Sequence, residues 1–334
     1  MEMPQIKGNS VAFGTNITLP LLFQNGVMDF TKTLLQRVQI FNKKESQVDW
    51  GKRATLKATD SLIPCVRQAM KEGINVFDCS RAYNGSEQRL AKALKGTPRN
   101  DVFLITKIDD SSQFLGHVNE CFEKSLHQLN TDYVDLLLLH WPVNYPKIGD
   151  NRFDSSVPVF ARSWRDLEKI YKSGRAKAIG VANFNITQLE ELKKYADIMP
   201  MANEFECHPL CIRKELNEYC TEHGIQVFAY ASLCAMDQRL RNEEMRKIAQ
   251  AHDKTIAQII LKWHMQNGRI PIFGTSRTER IHEYAHLDNF SLTDKELAVI
   301  DSQNINYRAF PDSEHCDFTR GIWLGWEKYK DCCP

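Results

Sequence analysis

The sequence predicts an α/β chain built on a parallel sheet, and three observations point that way. From about residue 60, short β-branched or aliphatic runs alternate with amphipathic segments of roughly 10 to 15 residues. Seven runs and six segments follow one another without a break, the pattern of strands joined by helical crossovers. Most of the runs close on, or next to, a polar residue. An eight-stranded (β/α)8 TIM barrel fits if one more strand lies near the start, and an open doubly wound sheet is the competing architecture. No Gly-x-Gly-x-x-Gly follows any run, which weakens the dinucleotide-binding form of the open sheet.

In chain order, the expected strands are 75–78, 102–107, 134–140, 178–182, 202–206, 226–231 and 270–274. The expected helices between them are 87–95, 114–129, 164–172, 188–195, 214–222 and 256–265. The helix over 114–129 shows its face clearly. Phe114, Val118, Phe122, Leu126 and Leu129 recur three or four apart, and Cys121 widens the stripe. Residues 22–58 break the rhythm as an insertion, in which Phe30, Leu34, Val38 and Phe41 share one side of a decorating helix. The tail over 304–334 is rich in aromatics (Tyr307, Phe310, Phe318, Trp323, Trp326, Tyr329) and is expected either to cover a pocket mouth or to pack on the barrel wall. The whole chain, 1–334, is expected to form one domain with these two additions.

Composition narrows the function. The 334 residues carry 43 Lys and Arg against 42 Asp and Glu, a formal charge of +1, so no nucleic-acid partner is expected. The apolar content of 43% is enough to fold a core. No run is long enough to cross a membrane, and the start, MEMPQIKGNS, lacks a basic region followed by an apolar one, so no membrane partner or secretory signal is expected. Ten cysteines in that setting predict free thiols and a cytoplasmic location. Cys207 and Cys211 flank His208 but no second pair follows, so no metal site is predicted.

In a parallel barrel the active site lies at the C-terminal ends of the strands. Those ends carry Asp78, Lys107 and His140, then Asn183, Glu204, Glu206 and Tyr230. A single charged residue closing a strand is ordinary. Asp, Lys and His closing three consecutive units converge on one small area, and Tyr83 reaches it from the loop after Asp78. A phenol with a pKa of about 10 is a poor acid. A nearby ammonium favours the phenolate and is expected to pull that pKa down. A carboxylate keeps the ammonium charged, and a neutral imidazole orients a carbonyl oxygen. Such a set suits protonation of a developing alkoxide, the partner step of hydride delivery to an aldehyde or ketone. None of these groups supplies a hydride, so a nicotinamide cofactor is implied.

In this order, DCSRAYNGSE, LITK, LLLLHWP, GVANFN, NEFECHP and FAYASL resemble the aldo-keto reductases, over about two thirds of the chain. The resemblance implies an eight-stranded barrel that binds NADPH without a dinucleotide fold, with NADH left open. It implies a catalytic tetrad of Asp78, Tyr83, Lys107 and His140, with Tyr83 as general acid, Lys107 as its activator, Asp78 as the Lys partner and His140 as the carbonyl orienter. Asn183 and Glu204 fall where the family binds the nicotinamide carboxamide, and Tyr230 where it stacks on the ring. Ser232 and Leu233 follow in the loop that passes the pyrophosphate. Gly274 and Thr275 begin the Gly-Thr form of the next cofactor segment, with Arg277 and Arg280 for the adenosine 2′-phosphate and Glu283 near adenine. Trp141 is expected to line the substrate pocket.

The sequence departs from the family at Ala182, usually Ser, at Glu204, usually Gln, and at Tyr284, usually Asn. An ionised Glu204 accepts a hydrogen bond but cannot donate one. The expected function is therefore NADPH-dependent reduction of a small carbonyl substrate. The alternatives are a cofactor-binding regulatory or scaffold protein of the same fold, and a lyase using Lys107 as a Schiff-base amine. Protein partners are not legible.

Overall fold

The structure is a computed structural model that describes residues 12–14, 62–83, 85–142 and 157–309. The expected insertion over 22–58 and the aromatic tail from 310 onward lie outside the described residues. Eight parallel strands form a closed barrel in sequence order: β1 (Ala12–Gly14), β2 (Val76–Asp78), β3 (Phe103–Ile108), β4 (Leu136–Leu139), β5 (Ile179–Ala182), β6 (Ala202–Glu206), β7 (Gln226–Tyr230) and β8 (Ile270–Phe273). β1 pairs with β2 on one side and β8 on the other, which closes the ring and overturns the open-sheet alternative. The expected extra strand is thus β1, a three-residue AFG segment with too little pattern to be placed from sequence.

The helices are α1 (residues 62–71), α2 (Ser86–Ala93), α3 (Asp110–Leu115), α4 (Val118–Leu129), α5 (Val159–Lys172), α6 (Ile186–Lys193), α7 (Lys214–Glu222), α8 (Glu243–Ala251), α9 (Ile256–Gln266), α10 (Thr278–Ala285) and α11 (Asp294–Asp301). The helix expected over 114–129 is corrected to two helices, because Gly116 adopts a left-handed φ of 73° and terminates α3. The apolar stripe of α4 is as expected, with Val118, Cys121, Phe122, Leu126 and Leu129 all buried. Side chain–backbone capping boxes start α6 (Asn185 with Gln188), α9 (Thr255 with Gln258) and α11 (Thr293 with Glu296).

Strand alternation divides the core in two. Leu104, Ile108, Leu137, Leu139, Val181, Phe205 and Val227 point out into the layer beneath the helices. Val76, Phe103, Ile105, Leu136, Leu138, Ala182, Ala202 and Phe228 point in and fill the barrel. On the inward series of β3, Phe103 and Ile105 are followed by Lys107, so the filling changes from apolar to ionic at the mouth. Space inside is tight at β5. A Cβ on Gly180 would lie 2.6 Å from the Ala202 carbonyl oxygen and 2.8 Å from a Leu138 methyl. Gly180→Ala should therefore cost about 1–3 kcal/mol through overpacking. Urea unfolding checks this, and an unchanged midpoint would contradict the packing described.

Candidate active site

The mouth is built from strand ends and one stapled loop. β2 ends at Asp78, which pairs in register with Gly14 on β1 and Ile105 on β3. The chain then turns back, with Tyr83 N–H donating to the Ser80 carbonyl at 3.0 Å and Ser86 N–H to the Tyr83 carbonyl at 2.9 Å. The Ser86 hydroxyl donates to the Ser80 carbonyl at 3.0 Å, and both serines are fully buried. This staple fixes where Tyr83 sits. It was not legible in sequence, because two serines in a loop read as ordinary turn residues.

Lys107 is completely buried at the centre of the mouth. Its Nζ donates to Asp78 Oδ1 and to the Cys79 carbonyl at 3.4 Å, and lies 3.3 Å from Glu204 Oε1 on the opposite side of the barrel. It stands 5.0 Å from the centre of the Tyr83 ring. The Tyr83 hydroxyl is 3.4 Å from His140 Nε2, and the two rings meet edge to face with centroids 5.5 Å apart. The four tetrad residues expected from sequence are therefore contiguous. The structure adds Glu204 to them as a second carboxyl on Lys107. Trp141 stacks at 6.3 Å beside His140 and is partly exposed at the rim.

Charge in this dry site is set by counting. Two carboxyls surround one ammonium. Burial works to lower the Lys107 pKa, but Asp78, Glu204 and Tyr83 together outweigh it and hold the ammonium well above its ordinary value. Asp78 is raised by burial and held back by Lys107. Glu204 is pushed up to about 8 by burial and by Asp78, against the opposing pull of Lys107. Near neutral pH the coupled pair of carboxyls thus keeps one proton, shared between Asp78 and Glu204. Glu204 Oε2 is buried and has no hydrogen-bond partner among the described residues. His140 is lowered to about 3 by burial and then by the Lys107 cation, so its imidazole is neutral. The expected fall in the Tyr83 pKa is corrected. Burial raises it well above 10, with Asp78 and Glu204 adding to the rise, and Lys107 only partly opposes this. Tyr83 is thus held as the protonated phenol.

Of the residues expected to hold the cofactor, Asn183 and Tyr230 adjoin this cluster. Asn183 has a left-handed φ of 64°, a conformation Asn tolerates, and its amide donates to the His140 carbonyl at 3.0 Å. The Tyr230 hydroxyl donates to Asn183 Oδ1 at 2.8 Å, so these two residues are tied to each other. One amide hydrogen and one oxygen lone pair of Asn183 remain for a further partner. Ala182 is packed in the barrel filling and offers no hydroxyl. The Ser232 hydroxyl is fully buried and donates to the Ile272 carbonyl at 2.8 Å, so it is engaged within the protein. Leu233 packs on the outer core. The same loop carries Ala231, Cys234, Ala235 and Met236 at positive φ, a strained course of the kind found at ligand-holding turns.

After β8, Gly274 is exposed, Thr275 is buried, and the Thr275 hydroxyl accepts from Arg277 N–H at 3.1 Å ahead of α10. Arg277 and Arg280 are exposed beside the start of α10 and make no ion pair among the described residues. A helix start with two guanidinium groups is a ready anion site. Glu283 is tied back to α9, accepting from the Thr255 hydroxyl through its side chain and from Gln258 Nε2 at 2.9 Å through its carbonyl. Glu206 does not join the tetrad. Its carboxylate receives Arg308 Nε at 2.7 Å, Ala309 N–H at 2.6 Å and His208 Nε2 at 2.9 Å, which anchors the segment after α11 to the mouth. No helix among the described residues is long and apolar enough to cross a membrane.

The model of the aldo/keto reductase family matches residues 48–305. The chain is 36% identical over 264 residues to a glyoxal reductase of Bacillus subtilis, covering 78% of this chain and 89% of that one. It is 32% identical over 273 residues to aldose reductase B of Dictyostelium discoideum, covering 75% and 86%. Among solved structures, the aldose reductase from Schistosoma japonicum superposes with a TM-score of 0.68 at 29% identity, covering 75% of this chain and 86% of that one. An aldo-keto reductase from a deep-sea metagenome library gives 0.66 at 32%, covering 75% and 88%.

Protonation of Glu204 has a thermodynamic signature. Its carboxyl titrates at about 8 when folded and at about 4.3 in an unfolded chain. A pKa raised by folding gives stability that is complete below the unfolded value and is lost as pH climbs to the folded value. Between about pH 5 and pH 8, wild-type stability should therefore fall relative to Glu204→Gln, by at most about 1.4 kcal/mol per pH unit, and level off above. Urea unfolding of both proteins across that range reads the difference directly. Parallel profiles would mean that the Glu204 proton is not retained.

Proposed function

Because the chain belongs to the aldo/keto reductase family, we propose that it reduces an aldehyde or ketone to the alcohol with NADPH, using Tyr83 as general acid. At the coarser level the family assigns, it is an NAD(P)H-dependent oxidoreductase acting on small carbonyl compounds. The finer reading is carried by one observation, the convergence of a neutral phenol, a buried ammonium and a neutral imidazole at the barrel mouth.

When bound, the nicotinamide supplies the hydride that goes to the carbonyl carbon. The residues of the chain handle the proton. Tyr83 and His140 set two hydrogen-bond donors 3.4 Å apart, and a carbonyl oxygen seated between them is polarised by both. As negative charge builds on that oxygen, Tyr83 gives up its proton and the new O–H completes the alcohol. The phenolate left behind lies beside the Lys107 ammonium, which offsets its charge without any rearrangement. Asp78 keeps that ammonium charged and in place.

The residues present fit the cofactor. Glu204 Oε2 is a buried atom at the mouth with no hydrogen-bond partner among the described residues, and it can accept from the carboxamide NH2. Glu204 and Asn183 are assigned to the carboxamide, Tyr230 to the ring face, and the Ser232–Leu233 loop to the pyrophosphate. Gly274, Thr275, Arg277 and Arg280 are assigned to the 2′-phosphate end, with Glu283 nearby. Trp141 is assigned to the substrate pocket.

Absorbance of the reduced cofactor, followed with a panel of aldehydes and ketones that includes dicarbonyls and aldoses, tests the activity. Tyr83→Phe should lower kcat by about 10²- to 10⁴-fold and leave NADPH affinity nearly unchanged. Lost cofactor binding would show that Tyr83 has the wrong role, and tight binding without turnover across the panel would favour the regulatory alternative. Arg277→Ala should raise the KM for NADPH while leaving that for NADH in place. An equal rise for both would remove the 2′-phosphate assignment.

A further inference from the structure

Far from the mouth, α1 and α10 meet across the seam where the last barrel unit returns to the first. Glu72 follows α1 directly, and His282 and His286 lie one turn apart at the end of α10. We propose that these three residues form a surface site for a divalent transition-metal ion of the zinc class.

One ligand atom from each residue lies within 4.8 Å of the other two. His282 Nδ1 is 3.1 Å and His286 Nδ1 3.9 Å from Glu72 Oε2. A tetrahedral zinc site with bonds of about 2.0–2.1 Å has ligand atoms about 3.4 Å apart, so the three need only small side-chain rotations to close on an ion. Gln68 Nε2 donates to Glu72 Oε1 at 2.6 Å, which holds the carboxylate and turns its other oxygen to the histidines. His286 Nδ1 donates to the His282 carbonyl at 2.8 Å, so an ion bound at that nitrogen replaces this hydrogen bond and leaves the ring proton on Nε2. The imidazole rings lie 4.3 Å apart, centre to centre, and both are mostly exposed, so an ion reaches them without opening the fold.

The donor set decides the class of ion. Two imidazoles and one carboxylate suit zinc and its neighbours, whereas calcium and magnesium require a shell of oxygens. Three protein ligands leave a fourth position for water. A bound ion would also link α1 to α10, two helices that the chain itself joins only through the whole barrel.

Zinc titration of the reduced full-length chain, by calorimetry and by thermal unfolding, tests the site. Wild type should bind one equivalent more than His282→Asn/His286→Asn, and Glu72→Gln should weaken that equivalent by at least about tenfold. Zinc should raise the wild-type Tm, and the double variant should lose that rise. Cysteine thiols elsewhere take zinc equally in both proteins, so the difference isolates this cluster. Equal stoichiometry and equal Tm shifts in wild type and the double variant would overturn the proposal and leave the three residues as an ordinary surface ion pair.

Discussion

A lysine ammonium with no exposed surface, enclosed by a β-barrel, is the constraint on which the rest of this site depends. An isolated charge taken from water into such a place costs several kcal/mol, so Lys107 requires a matched anion. Asp78 supplies it. The second carboxyl, Glu204, is one more than the cation can neutralise, and burial resolves the excess by keeping one proton on the Asp78–Glu204 pair. The same burial keeps Tyr83 a phenol and His140 a neutral imidazole. The cluster is close to electrically balanced at rest, and its one fixed cation sits beside the group that must become an anion during reaction.

The barrel makes this possible by separating two kinds of filling. Phe103, Ile105, Leu136, Leu138 and Phe228 occupy the lower interior, and small residues (Ala178 just before β5, Gly180 and Ala182 on β5, Ala202 on β6) make room for them. Above that apolar layer the inward positions on β2, β3 and β6 are Asp78, Lys107 and Glu204. The apolar layer shuts water out from below, which strengthens every electrostatic interaction at the mouth. The Ser80–Ser86 staple and the Glu206–Arg308 pair then fix the loops that leave the mouth.

The parts legible in the sequence were those written locally. Runs such as LLLL and IGVA declare buried strands, and Asp78, Lys107 and His140 were visible because each closes such a run. Tyr83 was visible because it follows Asp78 by five residues. What escaped notice depends on register or on distant contact. AFG is too short to show a pattern, and it becomes a strand only because β2 and β8 flank it. The contact of Glu204 with Lys107 spans the interior between non-adjacent strands, so in sequence Glu204 read as a strand-end residue at the carboxamide position that departs from the family's Gln, and not as a partner of Lys107. The lowered Tyr83 pKa expected from a neighbouring ammonium failed because burial, invisible in sequence, outweighs a single charge. Glu72 and His282 are separated by 210 positions, and nothing in either neighbourhood hints at the other.

The most direct test of the central claim removes the buried cation without stranding its partner. Lys107→Met combined with Asp78→Asn keeps the site uncharged, so the fold and the cofactor residues are preserved while the compensation for the Tyr83 phenolate is lost. Single-turnover reduction with NADPH should slow by about 100-fold or more, with NADPH affinity and unfolding midpoint near those of the wild type. A folded double variant that reduces the carbonyl at the wild-type rate would contradict the charge-compensating role of the Lys107 ammonium.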